Sequence, residues 1–284
     1  MINESDLELL TDREFTARVK TLLDTLMLEE NLTPTERVSS IFSSIVRLSL
    51  TPSRPSVIET LEKDGTLQSL IAVNGRGEIE LERYWARRVL EGQNKITDYP
   101  YFSNYKTLTQ FELQKMESHH KLYGVRMVFV GSGALPFTPV MFGQHYPSMH
   151  VDCIDRDPSF VQYSTSLVTM LGIGNVSVRY QDINQLDGQL SYEISNADVI
   201  FIAALIGSTS EEKNGMLGRL HPHLKSEALV AIRSVPNDMR RLLYPLVELN
   251  NSISNSYHHL GTYALPRESG VINSLVILSP KPAN

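Results

Sequence analysis

The sequence predicts an α/β protein in two parts: a helical N-terminal domain over residues 1–122 and a domain of alternating strands and helices over residues 123–284. Three observations predict it. Apolar, β-rich runs fall at 127–130, 151–154, 176–180, 199–203 and 229–232, each separated by a helix-length segment, which is the pattern of βαβ units on a mostly parallel sheet. The first run, Val128-Phe129-Val130, enters a turn with Gly131 and Gly133, where the backbone can approach a ligand closely. The runs at 257–263 and 271–278 are joined by a short connection that includes Pro266-Arg267-Glu268-Ser269-Gly270. A link that short cannot cross over, so this pair forms an antiparallel hairpin.

The first part reads as helices. Val19, Leu22, Leu23, Leu26 and Met27 recur at spacings of three and four, one face of an amphipathic helix. Thr33-Pro34-Thr35-Glu36 predicts a helix start with Thr33 as cap and Pro34 in the first turn. Pro52 and Pro55 break the chain, residues 79–90 form a further helix, and 98–102 form a loop because the residue before Pro100 avoids the helical region.

Composition narrows the function. At 284 residues with 42% hydrophobic content the chain buries a sizeable core. A net charge of −6 argues against nucleic acid as a partner, since duplex binders carry a basic footprint. Cys153 is the single cysteine, so no internal disulfide forms, and a reducing, cytoplasmic setting is the simplest expectation. The acidic N-terminus has no signal-peptide pattern, and no apolar run approaches the ~18 residues of a membrane span. The adjacent pairs His119-His120 and His258-His259 chelate poorly, because neighbours on a strand point to opposite faces, so no metal site is expected. Cys153 lies within a strand and reads as a packed thiol.

A glycine turn after one strand and a carboxylate at the tip of the next is how such a sheet holds a nucleoside. Here Gly131, Ser132, Gly133, Leu135 and Pro136 form the turn, and Asp155 ends the second strand. Asp155 is expected on the ribose, the alternative being a helix cap before Pro158. Pro136 stands where a dinucleotide fingerprint needs its third glycine, and alternating units closed by a hairpin are how a methyltransferase-type Rossmann sheet ends. Both turn the expected ligand from NAD to S-adenosylmethionine (SAM). Asp182, after the third strand, is expected near the adenine amino group, unless it only caps a turn. Ala203 and Ala204, after the fourth strand, leave room for a ligand at the carboxyl edge of the sheet. On residues alone, Glu82 reads more simply as a surface ion pair with Arg83 or Arg87, and Tyr99, Tyr101 and Tyr105 with Asn104 as an aromatic plug between domains.

Taken together, Pro100-Tyr101-Phe102-Ser103-Asn104-Tyr105, the segment 128–136, Phe201-Ile202-Ala203-Ala204-Leu205-Ile206-Gly207 with Glu211-Glu212-Lys213, Arg233-Ser234, Leu243-Tyr244-Pro245 and Asn273-Ser274 resemble the nicotianamine synthase family. The departures from the plant pattern, Ala134 and Phe102 among them, favour its bacterial branch, which makes opine-type metallophores. The resemblance runs from roughly 81 to 278. It implies transfer of the 3-amino-3-carboxypropyl (aminobutyryl) group of SAM rather than its methyl group. In that branch one unit passes to the α-amino group of histidine, 5′-methylthioadenosine leaves, and a separate opine dehydrogenase completes the product. The family's catalytic glutamate falls on Glu82 and its catalytic tyrosine on Tyr105, with Tyr101, Asn104, Arg233 and Tyr244 as substrate contacts. A homodimer is compatible with the sequence. The alternatives are a nicotianamine synthase that condenses several aminobutyryl units, an ordinary SAM methyltransferase, or a SAM-binding module without turnover.

Overall fold

A computed structural model describes residues 7–282. Helices α1 (Asp12–Met27), α2 (Glu36–Ser49), α3 (Pro55–Lys63), α4 (Thr66–Leu90) and α5 (Phe102–Glu117) come first. Then β1 (Arg126–Val130), α6 (Phe137–His145), β2 (His150–Asp155), α7 (Pro158–Met170), β3 (Val176–Tyr180), α8 (Gly188–Asn196), β4 (Val199–Ile202), α9 (Ser210–Leu220) and β5 (Leu229–Ser234) alternate. The short α10 (Asn251–Ser256) leads into β6 (Tyr257–Ala264) and β7 (Ser274–Pro280). The seven strands make one sheet in the order β3-β2-β1-β4-β5-β7-β6. The first five are parallel, and β7 runs antiparallel to both β5 and β6. This is the SAM-methyltransferase-like architecture that the alternation and the terminal hairpin predict.

β4 is buried throughout and β1 is buried from Met127 to Val130, as parallel strands covered on both faces are. Phe129 stacks on Phe201 across that pair, centroids 4.8 Å apart. Order reverses between β1 and β4, and β1 enters its turn at that point, which opens a crevice at the carboxyl edge of the sheet.

Two details of the helical part differ from expectation. Thr35, not Thr33, caps α2: its Oγ1 accepts from Val38 N at 3.2 Å, and Pro34 lies in the preceding turn. That start sets the register that buries Val38, Ile41, Ile45 and Leu48 together. The helix expected at 79–90 is the second half of the 25-residue α4. Its first half carries Gly75 and Gly77, weak helix formers that disguise it in the sequence. Gly77 is required by packing, since a Cβ there would strike the Phe42 ring of α2. The segment expected as a loop at 98–102 includes the end of a short 3-10 turn (Ile96–Asp98), and Phe102 already begins α5.

α4 joins the two layers of the molecule. Its residues Leu67, Leu70 and Val73 sit in a core with Phe15, Leu26, Ile45, Leu48 and Leu61. Met239, Leu242 and Leu243, which follow β5, enter that same core. Further along α4, Ala86 and Val89 pack with Ala134, Leu135, Phe137 and Phe160 of the sheet domain. The middle of α4 therefore lies where the two cores meet.

Candidate active site

The turn after β1 needs both glycines. Gly131 and Gly133 have φ of 86° and 66°, the left-handed region that other residues enter at a cost. Space requires them too: a Cβ at 131 would lie 2.6 Å from Ile206, and one at 133 would collide with the Glu82 carboxylate. Asp155 ties the turn down, accepting from Gly133 N and from Asp157 N at 3.0 Å each. Burial pushes its carboxyl pKa above the usual range, against those two N–H donors. Ser132 is buried and its Oγ has no protein partner. Leu135 and Pro136 are buried, Leu135 against the aromatic cluster described below.

The loop after β4 closes over this turn. Ala203 N donates to Val130 O at 3.0 Å, Ala204 is buried, and Ile206 lies against Gly131. Lys213 of α9 holds that loop from behind, its Nζ donating to Ala204 O at 3.0 Å and Ile206 O at 2.7 Å. Buried without a carboxylate on its nitrogen, Lys213 has its pKa pushed down to about 8. Asp182 accepts from Asn184 N at 2.9 Å and so shapes the turn after β3.

Glu82 is not in a surface ion pair. Arg83 pairs instead with Glu80 and Asp157, at 3.1 and 2.7 Å. Glu82 points the other way and accepts from Ala134 N at 3.0 Å, with Leu135 N as a further donor. The reason is helical: position 82 lies on the inner face of α4, while Arg83 turns outward to α7. Burial, then the neighbouring Glu78, raises the Glu82 pKa to about 8.

Glu78 is the residue the sequence reading missed. It lies one helical turn before Glu82, on the same face. Its Oε1 accepts from Tyr105 OH at 3.4 Å and its Oε2 from Tyr244 OH at 2.7 Å. Burial raises its pKa, while the two phenols and the Arg233 charge lower it. The i, i+4 spacing from Glu82 was the available signal, hidden by the two glycines that obscure this half of α4.

Glu78, Tyr101, Asn104, Tyr105 and Tyr244 line a cavity of about 420 Å³ between α2, α4, α5 and the segments 243–244 and 270–273. Its far wall is apolar, from Val38, Phe42, Val46 and Leu50. Asn104 Nδ2 donates to Gly270 O at 2.8 Å, tying α5 to the hairpin connection. The tyrosines also form the aromatic packing expected of them: Tyr99 and Tyr105 lie 5.0 and 5.2 Å from Phe137, and Trp85 meets Tyr99 edge-on at 6.0 Å. Arg233 stands apart from the cavity lining. It is buried in a bidentate pair with Glu112, at 2.6 and 2.8 Å, and also donates to Thr138 Oγ1 at 2.6 Å, its guanidinium 5.9 Å from the Tyr105 ring. Among the described residues there is no cluster of His, Cys, Asp and Glu suited to a metal, and no helix long and apolar enough to cross a membrane. Cys153 is buried in β2.

A parallel sheet ending in an antiparallel hairpin, with a glycine turn at its switch point and Glu82 of the helical layer held on that turn, is a fold of the SAM-methyltransferase-like class. The chain belongs to the nicotianamine synthase family: the family profile described as nicotianamine synthase protein matches residues 12–284. Nicotianamine synthase 2 of Oryza sativa subsp. japonica is 28% identical over 257 residues, which is 87% of this chain and 76% of that protein. Nicotianamine synthase 3 of Arabidopsis thaliana is 26% identical, covering 95% and 85%. The crystal structure of MtNAS in complex with MTA and tNA superposes with a TM-score of 0.76 at 19% identity, covering 95% of this chain and 98% of that one. A glutamate-to-glutamine mutant of MtNAS in complex with S-adenosylmethionine gives 0.74 at 18% identity, covering 94% and 98%. These structural likenesses show a shared fold over nearly the whole chain.

Proposed function

We propose that this protein transfers the aminobutyryl group of SAM to an amine and releases 5′-methylthioadenosine. One observation carries the reading: the Glu82 carboxylate, on a helix outside the sheet domain, is held against the glycine turn by Ala134 N at 3.0 Å, one helical turn from the lined cavity. A carboxylate fixed there is placed to take a proton from an amine that enters from the cavity. In this reading SAM is the cosubstrate. Its charged end lies at Gly131–Pro136 of the turn, its ribose on Asp155 and its adenine near Asp182, with Ala203 and Ala204 leaving it room.

The chemistry follows from the groups present. The sulfonium is already a good leaving group, so the protein orients the reactants and removes a proton. A free α-amine has a pKa of about 8, so near neutrality it is mostly the ammonium and cannot attack. A carboxylate whose pKa is raised to about 8 is matched to that amine and can take its proton as the C–N bond forms. Glu82 is assigned as this base. Tyr105, whose hydroxyl reaches Glu78, helps hold the amine side of the site. Tyr101, Asn104 and Tyr244 contact the acceptor through the cavity they line. Arg233 acts through the ring of Tyr105 rather than from the cavity wall.

For the acceptor, the sequence departures from the plant pattern support a single transfer to the α-amino group of histidine, giving a product for an opine dehydrogenase. A second reading, a nicotianamine synthase that joins several aminobutyryl units, is supported by the names of the relatives and by their similar coverage. Mass spectrometry of products from SAM with and without each amino acid, D- and L-histidine included, decides both points. Methylthioadenosine sustains the transfer reading and S-adenosylhomocysteine removes it. One aminobutyryl unit on histidine sustains the single transfer, and multiple units without added amino acid sustain the other.

A further inference from the structure

We infer that Glu78, rather than Glu82, is the carboxylate that docks the acceptor's ammonium group, so that the two acids on α4 divide binding from proton transfer. The inference rests on the aminobutyryl-transfer reading above and adds a second acid to it. Glu78 lines the cavity, and Glu82 does not: its Oε2 accepts from Ala134 N of the glycine turn. Glu78 is also the one charged side chain among the described residues that line the cavity. An acid set alone in a largely apolar, tyrosine-walled space attracts a cation and repels a carboxylate. The ammonium of an amino acid therefore enters toward Glu78.

The hydrogen-bond inventory leaves room for it. A carboxylate offers about four lone-pair sites. Tyr244 OH takes one at 2.7 Å and Tyr105 OH another at 3.4 Å. The rest are available to a donor arriving from the cavity. The two phenols that donate to Glu78 fix the direction of its carboxylate. Residues 78 and 82 are four positions apart on one helix face, a rise of about 6 Å. An ammonium docked on Glu78 therefore has Glu82, one helical turn on, as the next carboxylate.

The step then balances. The acceptor's ammonium stays bound to Glu78 through one N–H and passes a second proton to Glu82. The lone pair this frees forms the N–C bond at the γ-carbon of the aminobutyryl chain. The C–S bond breaks with both electrons remaining on sulfur, which leaves as the neutral thioether of methylthioadenosine. The product is a secondary ammonium, and Glu82 returns its proton to water when the site opens.

The test compares Glu78→Gln and Glu82→Gln in the full chain. It measures SAM affinity by calorimetry, and methylthioadenosine release against acceptor concentration. The acceptor is whichever proteinogenic amino acid or D-histidine supports release by the wild type, or a second SAM if none is needed. Glu78→Gln is expected to raise the acceptor KM roughly tenfold or more, the loss of one charged hydrogen bond, with SAM affinity within about twofold. Glu82→Gln is expected to lower kcat with little change in acceptor KM. An unchanged acceptor KM in Glu78→Gln overturns the inference. If circular dichroism shows that Glu78→Gln does not fold, Tyr244→Phe carries the test. It removes the 2.7 Å donor that orients Glu78, and is expected to raise acceptor KM by a smaller factor; no change overturns the inference. Release of S-adenosylhomocysteine by the wild type would instead remove the transfer reading, and the acceptor KM comparison, then followed by S-adenosylhomocysteine release, would still report which acid binds the acceptor.

Discussion

Gly133 and Glu82 occupy adjoining space: the missing side chain of the glycine is what admits the glutamate carboxylate to the turn. The same turn offers Ala134 N to that carboxylate at 3.0 Å and Gly133 N to Asp155 at 3.0 Å. Two acids, one from the helical layer and one from β2, thus hold a single glycine turn from opposite sides.

Gly133→Ala should therefore fail twice over. The backbone at φ 66° costs a non-glycine residue about 1–2 kcal/mol, and the new methyl displaces Glu82. Stability measured by urea unfolding should fall by more than that backbone cost, because the collision adds to it, with turnover falling much further. In a double-mutant cycle with Glu82→Ala the stability losses should be less than additive, because the smaller side chain removes the collision. Strict additivity would mean that the two residues do not meet.

Glu82→Gln keeps the shape and removes the base, so kcat should fall roughly 10²–10⁴-fold, the usual scale for general acid–base catalysis. Raising the pH above the amine's pKa of about 8 supplies free amine from solution, so part of the defect should be recovered there. Near wild-type turnover at neutral pH would leave the base unassigned.

The same carboxylate should leave a mark on stability. Its pKa is raised in the folded protein from 4.5 to about 8, so the folded state binds more protons than the unfolded state between those values. Stability should accordingly decline as pH rises through that window. The thermal midpoint of the wild type should drop from pH 5 toward pH 9 more steeply than that of Glu82→Gln. Parallel curves would show that Glu82 titrates normally.

Asp155→Ala should weaken SAM binding by about 1–3 kcal/mol, the cost of losing hydrogen bonds to a charged group. Because Asp155 also accepts from Gly133 N, the variant should loosen the turn, seen as faster amide exchange at 131–134. Unchanged SAM affinity by calorimetry in a folded variant would remove Asp155 from the ribose.

Arg233 is buried against Glu112, and removing one partner of a buried pair leaves an uncompensated charge at about 3–5 kcal/mol. Arg233→Met should unfold the protein at a markedly lower urea concentration, and Arg233→Met with Glu112→Leu should recover most of the loss. If the double variant is stable and keeps its acceptor KM, Arg233 is a structural residue and not a substrate contact.

The alternating runs and the short hairpin link were enough to give a mostly parallel sheet closed by an antiparallel hairpin, because strand periodicity and link length are local properties; the strand order came only from the structure. The same locality explains the errors. Thr33 and Thr35 are equally good caps by chemistry, and only the packing of Val38, Ile41 and Ile45 chooses between them. Gly75 and Gly77 argue against a helix by propensity, yet the Phe42 ring requires the second of them.

The sequence by itself determined the alternation of strands and helices, the glycine turn with Asp155 at the tip of the next strand, and the residue types that could do the chemistry. It could not say whether Glu82 faced water or the turn, since Arg83 and Arg87 beside it offered equally plausible ion pairs. Only the tertiary structure decided that. Long-range packing of α4 between two cores turns Arg83 out to Asp157 and Glu82 in to Ala134. It also brings Tyr105 and Tyr244, far apart in the chain, onto the two oxygens of Glu78. Such contacts depend on the angle at which one long helix crosses the sheet, and no local pattern of residues encodes that angle.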